Sequence, residues 1–558
     1  MRNSCYYFLT IILSIPLFFP QSSSAQSAAT RLDRAIASIN YDYFFRHLSY
    51  LASDELKGRG IGTQEYDMAA RYVADEFRKN GLEPFGDAGT YFQEVALSKL
   101  SISKRNFSLQ FNNESKTIGV EYGSNLSVVL SPAHQKINEE QQVVFVGYGN
   151  IVPEQNINDY EGVDVKGKTV IVALGGPKGM SHPSFHDRNE KFKNAVANGA
   201  SGLILFYPKA DLLQNVIFRK VHGFLSKGML AIADTSMQNP IGNADLRLLF
   251  FAKKQLVESI FKLNGLILKH TLQNMAKGTY ESKALTSTIR CQYTVKSEPL
   301  ESKNVMALLP GIDPHLRNEY VVIGAHLDGS GIGKAIKGDS IYNGMMDNAS
   351  GVSALLSISK AFNKLEVNPK RSIIFACYTA EENGLLGSSY FTNRNNISNG
   401  RIVANINIDM LAQTIETADM APLGYGHSNL SEAADFAAHQ LELKIDDNTE
   451  AELTYIERSD QVSFLKKEVP VLFIAGGFTA ANPQKNGEKT FNKWMRKTYH
   501  SPFDDLNQEY SDKAFLSAIR FDFLTTYYIA NLLEEIKWNA DSWLYKKYVK
   551  TGNSPLPE

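Results

Sequence analysis

Apolar positions first fall into a helical rhythm near the N-terminus. Phe44–Ser53 carries an amphipathic pattern and runs into the Gly-rich turn Asp54-Glu55-Leu56-Lys57-Gly58-Arg59-Gly60. Beyond it Tyr66, Ala69, Ala70, Val73, Ala74 and Phe77 recur at helical spacing. This predicts a second helix, with Arg78 and Lys79 in its last turn and Gly81 as its C-terminal cap. Residues 95–295 change texture and predict mostly short strands and turns. The strands are Val143–Gly149, Thr169–Val172 after the turn Lys166-Gly167-Lys168, and Gly202–Phe206, with one helix over Phe192–Ala200. From about residue 300, β-rich runs (Val305–Leu309, Val321–Ala325, Ile373–Tyr378, Ala404–Ile408, Val471–Ile474) alternate with helical stretches (Ala349–Leu365, Gly387–Asn393, Ser431–Leu443). That alternation predicts an α/β fold with a mixed β-sheet sandwiched by helices. Ligands of such sheets collect at the carboxyl ends of the strands.

Composition narrows the class. A chain of 558 residues is too long for one ordinary core, so two or three domains are expected. A formal net charge of -1 gives no global case for nucleic acid or for an anionic membrane surface. Arg2, the apolar run Tyr6–Phe19 and the small residues Ser23-Ser24-Ala25 read as a secretory signal removed after about Ala25. The run is short for a bilayer span, which needs about 20 apolar residues, and Pro16 and Pro20 interrupt it. The expected location is therefore secreted or periplasmic, with no stable membrane anchor. Of the three cysteines, Cys5 lies in the signal. Cys377 reads as a core residue of a strand, and one bridge to Cys291 is allowed.

The residues that follow the apolar runs carry the chemistry. Val321–Ala325 is followed by His326-Leu327-Asp328, Ile373–Tyr378 by Thr379-Ala380-Glu381-Glu382, and Ile406–Ile408 by Asp409. Asp347 opens a helix, and His500 stands in Tyr499-His500-Ser501-Pro502. Taken singly, these are ordinary turn, cap or surface residues, and Asp347 is a natural N-cap. Together and in order they supply imidazole nitrogens and carboxylates, the donors that zinc takes. A pair of zinc ions about 3.5–4 Å apart clamps both sides of a hydrolytic transition state. It needs one further carboxylate held off the metal as general base, and the adjacent pair Glu381-Glu382 supplies both jobs. Asp328, two residues after His326, is placed to hold the imidazole N–H and fix its tautomer. His182 and His186 stand in a loop-like stretch and read as solvated.

The blocks Gly324-Ala325-His326-Leu327-Asp328, Met346-Asp347-Asn348-Ala349-Ser350-Gly351, Ala380–Ser388, Asn407-Ile408-Asp409-Met410 and Tyr499-His500-Ser501-Pro502 resemble the co-catalytic zinc metallopeptidases. That family holds bacterial leucyl-type aminopeptidases and glutamate carboxypeptidase II-like enzymes. The resemblance implies a secreted aminopeptidase acting on peptide substrates with two Zn2+ ions. Asp347 would bridge them, His326 and Asp409 would complete one site, and Glu382 and His500 the other. Glu381 would be the general base and Asp328 the partner of His326. It also implies a cis peptide after Asp347. Asn348 and Ser501 stand where many relatives carry Asp and Thr. Asp460, in Arg458–Phe464, resembles a block near the pocket and takes no assigned chemistry. Gly147-Tyr148-Gly149, Gly162–Val172 and Asn198–Gly202 resemble a protease-associated domain. The implied organisation is a signal over 1–25, an N-terminal helical part over 26–115, a mostly-β protease-associated insert over 116–290 and a zinc-exopeptidase catalytic domain over 291–550.

Three other readings fit part of the pattern. A glutamate-cleaving carboxypeptidase would need a cation, such as Arg458 or Lys493, to read a C-terminal carboxylate. A glutaminyl cyclase-like enzyme would use one zinc, and its relatives generally lack the insert. A non-catalytic scaffold on this fold would have lost a ligand or the base.

Overall fold

The apolar runs of the second half become the middle of one sheet. The computed structural model describes residues 23–550 apart from 181–187, 210, 235, 238–244, 412–413, 448–451 and 454. In it the strands Ser372–Tyr378, Glu319–His326, Arg401–Asn407 and Val471–Gly476 lie side by side and parallel, in that order. The antiparallel strands Lys283–Leu309 and Asp419–Leu423 flank them. Every residue of Ser372–Tyr378 is buried, as are the last six of Glu319–His326. Strands buried on both faces read as continuous apolar runs, not alternating ones, and this is why they stand out in the sequence.

Helices cover both faces, as the alternation predicts. Tyr41–Leu51, Gln64–Lys79, Ser350–Asn363 and Asp512–Asn531 pack on one face, where Phe44, Phe77, Leu355 and Phe523 meet Ile323 and Phe375. On the other, Val322, Ile374 and Tyr378 pack against Phe391, Phe464 and Leu465. The two N-terminal helices start where local chemistry satisfies their first N–H groups: Asn40 accepts from Tyr43 N at 3.0 Å and Thr63 from Tyr66 N at 3.2 Å. Gly81, at φ +78°, closes the second as expected.

The segment 95–295 builds a second sheet. Its strands Lys136–Phe145, Thr169–Ala173, Gly202–Phe206 and Leu248–Ala252 are parallel neighbours. The two sheets are not separate pieces. One strand of 27 residues, Lys283–Leu309, pairs with Ser108–Asn112 and Lys136–Phe145 in the second sheet and then with Phe92–Ile102 and Ser372–Tyr378 in the first. The expectation of mostly strands and turns here needs correction. Four helices cover this sheet: Arg188–Ala197, Asp211–Leu225, Lys254–Leu263 and Leu268–Ala276. Only the first was legible. Lys254–Leu263 and Leu268–Ala276 follow Lys253 and Ile267, which give no side-chain cap. Asp211–Leu225 exposes Leu212, Leu213 and Phe224, which blurs its amphipathic rhythm.

The signal expected over 1–25 falls mostly outside the described residues, as do His182 and His186. Ala25, the expected end of that signal, lies in the helix Ser23–Ser38. Among the described residues no helix is long and apolar enough to cross a membrane. Cys291 and Cys377 are free thiols buried in different cores, so no bridge joins them.

Candidate active site

Three parallel strands end at the same edge of the first sheet, and each delivers a polar residue there. His326 is the last residue of its strand and lies opposite Tyr378. Glu381 and Glu382 follow Tyr378, and Asp409 follows the strand Arg401–Asn407. Asp347 comes from the turn ahead of the helix Ser350–Asn363, and His500 from the turn after the helix Gly487–Lys497. The structure brings all six together.

Asp347 is at the centre. Its Oδ1 lies 3.1 Å from His326 Nε2 and its Oδ2 lies 3.2 Å from His500 Nε2. Asp409 Oδ1 adds a carboxylate 3.3 Å from His326 Nε2. Glu382 Oε2 adds one 3.1 Å from His500 Nε2. Two donor groups result, His326–Asp347–Asp409 and Asp347–Glu382–His500, each with its donor atoms within 4.8 Å of one another. Glu381 belongs to neither group, and its Oε2 is 4.0 Å from His326 Nε2. Asp347 does not cap the helix with its side chain: it is Asn348 Oδ1 that accepts from Gly351 N, at 3.0 Å. The Asp347–Asn348 peptide bond is cis.

Asp328 is close to His326, though by a different route from the one expected. The imidazole Nδ1 meets the backbone carbonyl of Asp328 at 3.0 Å, while the carboxylate is 3.9 Å away. The carboxylate instead accepts the N–H groups of Glu381 at 3.1 Å and Glu382 at 3.2 Å. One residue therefore orients the imidazole with its main chain and both glutamates with its side chain. A carbonyl partner on Nδ1 leaves Nε2 free to act as a donor atom toward a cation.

The backbone at this edge is held in uncommon conformations. Ala380 (φ 55°), Met410 (φ 52°) and His500 (φ 52°) are non-glycine residues in the left-handed region, each beside or at a donor position. Such residues cost about 1–3 kcal/mol each and cluster at functional sites.

The electrostatics are those of a cation site. Burial disfavours the charged imidazole of His500, yet Glu382 and Asp347 outweigh it and hold its pKa up at about 11. Burial likewise opposes the charged form of His326, and Glu381 and Asp409 raise its pKa well above the ordinary value. Glu381 is itself raised well above the carboxylate range, by burial first and by its acidic neighbours Asp409, Asp460 and Glu382 after that. Asp460 is fully buried at the start of the helix Gln461–Leu465 and is pushed up to about 7, mainly by burial. So many carboxylates around two imidazoles bind either protons or divalent cations. Two imidazole nitrogens and three carboxylates, one of them shared, fit a pair of zinc ions.

A cleft whose empty space, open solvent included, is about 680 Å³ opens from this site. Asp409 gives it an acidic end, beside Met346, and Leu423, Phe473, Phe478, Phe491 and Trp494 form apolar walls. A smaller recess of about 210 Å³ is lined by Asp347, Glu382, His500 and Asp504 among others. No Lys or Arg lines either one among the described residues. Arg458 and Lys493 are both exposed; the Arg458 guanidinium lies over the ring of Tyr455, a wall residue, at 5.3 Å from its centroid.

Sequence reasoning passed over two residues. Asp504, four positions after His500, accepts the backbone N–H groups of Met346 and Asp347 at 2.9 and 3.1 Å. Arg59 is buried against the turns that carry His326 and Asp347. A charged residue inside a Gly-rich turn, and a second acid just after a donor histidine, were the only signals.

Known proteins resemble parts of this chain. A leupeptin-inactivating enzyme 1 of Streptomyces exfoliatus is 29% identical over 41% of this chain and 48% of its own length. A glutamate carboxypeptidase 2 homolog of Caenorhabditis elegans is 25% identical over 65% of this chain and 50% of its own. The chain spans about half the length of these curated relatives. Among solved structures, an aminopeptidase from Aneurinibacillus sp. strain AM-1 superposes with a TM-score of 0.49 at 16% identity, covering 92% of this chain and 99% of that one. Residues 304–521 match the model of Peptidase family M28, and the matched segment carries His326, Asp347, Glu381, Glu382, Asp409 and His500.

Proposed function

We propose that the chain is a two-zinc aminopeptidase that removes apolar residues from the free N-termini of peptides. The observation that carries this reading is the pair of Asp347 oxygens, one facing His326 and the other facing His500. In this reading Asp347 would be shared between two Zn2+ ions, with His326 and Asp409 holding one and Glu382 and His500 the other. Bound there, the pair supplies Lewis acidity at the scissile carbonyl and acidifies water toward neutral pH. Glu381 is the general base: it takes a proton from the attacking water and returns it to the leaving amine. Its burial and acidic surroundings favour a carboxylate that holds a proton readily. Asp328 fixes the direction of Glu381 and Glu382 through their N–H groups.

The walls of the cleft support an aminopeptidase over a carboxypeptidase. The acid at its end, Asp409, favours a free α-amine, and no lining cation reads a C-terminal carboxylate among the described residues. Its apolar walls suit a side chain such as leucine or phenylalanine. The names of the relatives, which include aminopeptidases of Aspergillus oryzae and Saccharomyces cerevisiae, point the same way. In this reading 1–25 directs export, and 116–290 is a protease-associated insert beside the cleft.

The test is to count metals in the purified chain. Leucyl and glutamyl substrates with free and blocked amino termini are then assayed, with and without chelator. Two zincs and chelator-sensitive cleavage of free-amine substrates alone support the reading. Cleavage only beside a free C-terminal carboxylate would assign Arg458 its role and make the enzyme a carboxypeptidase. One zinc without turnover of aminoacyl amides would favour a cyclase.

A further inference from the structure

Arg59 lies far outside the matched segment, yet its guanidinium reaches the turns that carry His326 and Asp347. It is fully buried. Nε donates to Leu327 O at 2.8 Å, and Nη2 to Gly344 O at 3.1 Å. Nη1 donates to Leu51 O at 2.5 Å and to Asn343 O at 2.7 Å. Leu327 follows His326, and Asn343-Gly344 lead into Asp347. One planar side chain therefore ties the His326 turn and the Asp347 turn to each other and to the end of the helix Tyr41–Leu51.

The local chain is shaped for this contact. Lys57 (φ 42°), Gly58 (φ 70°) and Arg59 (φ 51°) are three successive left-handed residues. A Cβ on Gly58 would stand 2.2 Å from Tyr342 O, and one on Gly344 would stand 3.1 Å from Arg59 Nη2. Main chain thus packs on main chain, and no side chain separates the guanidinium from the carbonyls it holds. The surroundings are acidic: Asp328, Asp504, Asp347 and Glu382 all stabilise the Arg59 charge, against the cost of its burial. Asn343 adds a second tie, its Nδ2 donating to Ala52 O at 3.0 Å and to Asp54 Oδ1 at 2.9 Å.

We propose that Arg59 is a positioning residue for the metal pair, fixing the spacing between His326 and Asp347 and supplying a buried cation beside the carboxylates around them. This rests on the two-zinc reading given above. It also predicts an asymmetry. Arg59 holds two donors of the His326–Asp347–Asp409 group and only the shared donor of the Asp347–Glu382–His500 group, so its loss weakens the first site more.

The experiment is zinc binding to the full chain, measured by competition with a chromophoric chelator, for the wild type, Arg59→Lys and Arg59→Gln. Thermal unfolding of the same samples is followed without metal. Lys keeps the charge and loses the fork; Gln loses both. The expected result is two zincs on the wild type and, on both variants, one site weakened at least tenfold with the other within a few fold. The cobalt-substituted forms should show a changed absorption spectrum. Variants that bind two zincs as the wild type does, with only a lower unfolding midpoint, overturn the proposal and leave Arg59 a structural residue. A wild type that binds no zinc overturns the two-zinc reading and the proposal with it. Should the Arg59 variants not fold, Asn343→Ala loosens the same turn and keeps the guanidinium in place: a smaller weakening of the same site supports the proposal, and unchanged affinity overturns it.

Discussion

Asp504 accepts the backbone N–H of Asp347 at 3.1 Å with one carboxylate oxygen, while its other oxygen accepts that of Met346 at 2.9 Å. The same residue returns a carbonyl to Met345 N at 3.0 Å. Asp504 closes the turn that begins at His500, so this contact fixes where the His500 turn stands relative to the Asp347 turn. Two donors of the Asp347–Glu382–His500 group are thereby set by one buried carboxylate. Asp504→Ala strands two buried N–H groups, at about 1–3 kcal/mol each. The expected outcome is a loss of stability on the order of 2–6 kcal/mol in urea unfolding, together with weaker zinc retention at the His500 site. A variant with wild-type stability and full zinc content would remove Asp504 from this role.

Glu381→Gln separates chemistry from assembly. The side chain belongs to neither donor group, and its backbone N–H stays bound to Asp328 whatever the side chain. Zinc content and unfolding midpoint should therefore match the wild type. Turnover should fall by roughly two to four orders of magnitude, the usual contribution of a general base. Turnover retained in that variant would move the proton-transfer role to another group.

The sequence made the central sheet legible because its strands are buried on both faces and read as unbroken apolar runs. It made the donor residues visible because each one ends such a run or opens the next helix. What it concealed was contact between segments remote in the chain. Arg59 binds carbonyls near residues 327 and 344, and nothing in a Gly-rich turn announces carbonyl partners so far away. Asp328 was expected to face His326 with its carboxylate, from strand geometry alone. The chain instead turns at that point, so the carbonyl takes the imidazole and the carboxylate turns to Glu381 and Glu382. The helices Lys254–Leu263 and Leu268–Ala276 were concealed for a local reason, the lack of any capping side chain at their starts.

The apolar cavity makes a prediction about preference. Ala475 lines it from the strand Val471–Gly476, between the walls Phe473 and Phe478. Ala475→Phe should fill space that an incoming side chain needs. Cleavage of leucyl and phenylalanyl amides should then fall relative to alanyl amide by about tenfold or more in kcat/KM, the range expected for a few lost methylene contacts. An unchanged leucyl-to-alanyl ratio would place the specificity pocket elsewhere.

Asp522 predicts a pH dependence that has nothing to do with metal. It lies in the helix Asp512–Asn531, fully buried, with neither carboxylate oxygen hydrogen-bonded among the described residues. Burial alone holds its pKa well above the ordinary value of 3.8. The folded chain therefore keeps a proton on this group where the unfolded chain releases it. Stability from this residue is complete below the unfolded pKa and is lost as pH rises toward the folded one. Asp522→Asn removes the titration. The stability of the variant minus that of the wild type should be smallest near pH 4 and should grow in the variant's favour toward pH 8, by about 1.4 kcal/mol for each unit of the folded-state shift crossed. Urea unfolding of both metal-free chains across that range measures it, and a difference that stays constant with pH would show that Asp522 is ionised in the folded protein.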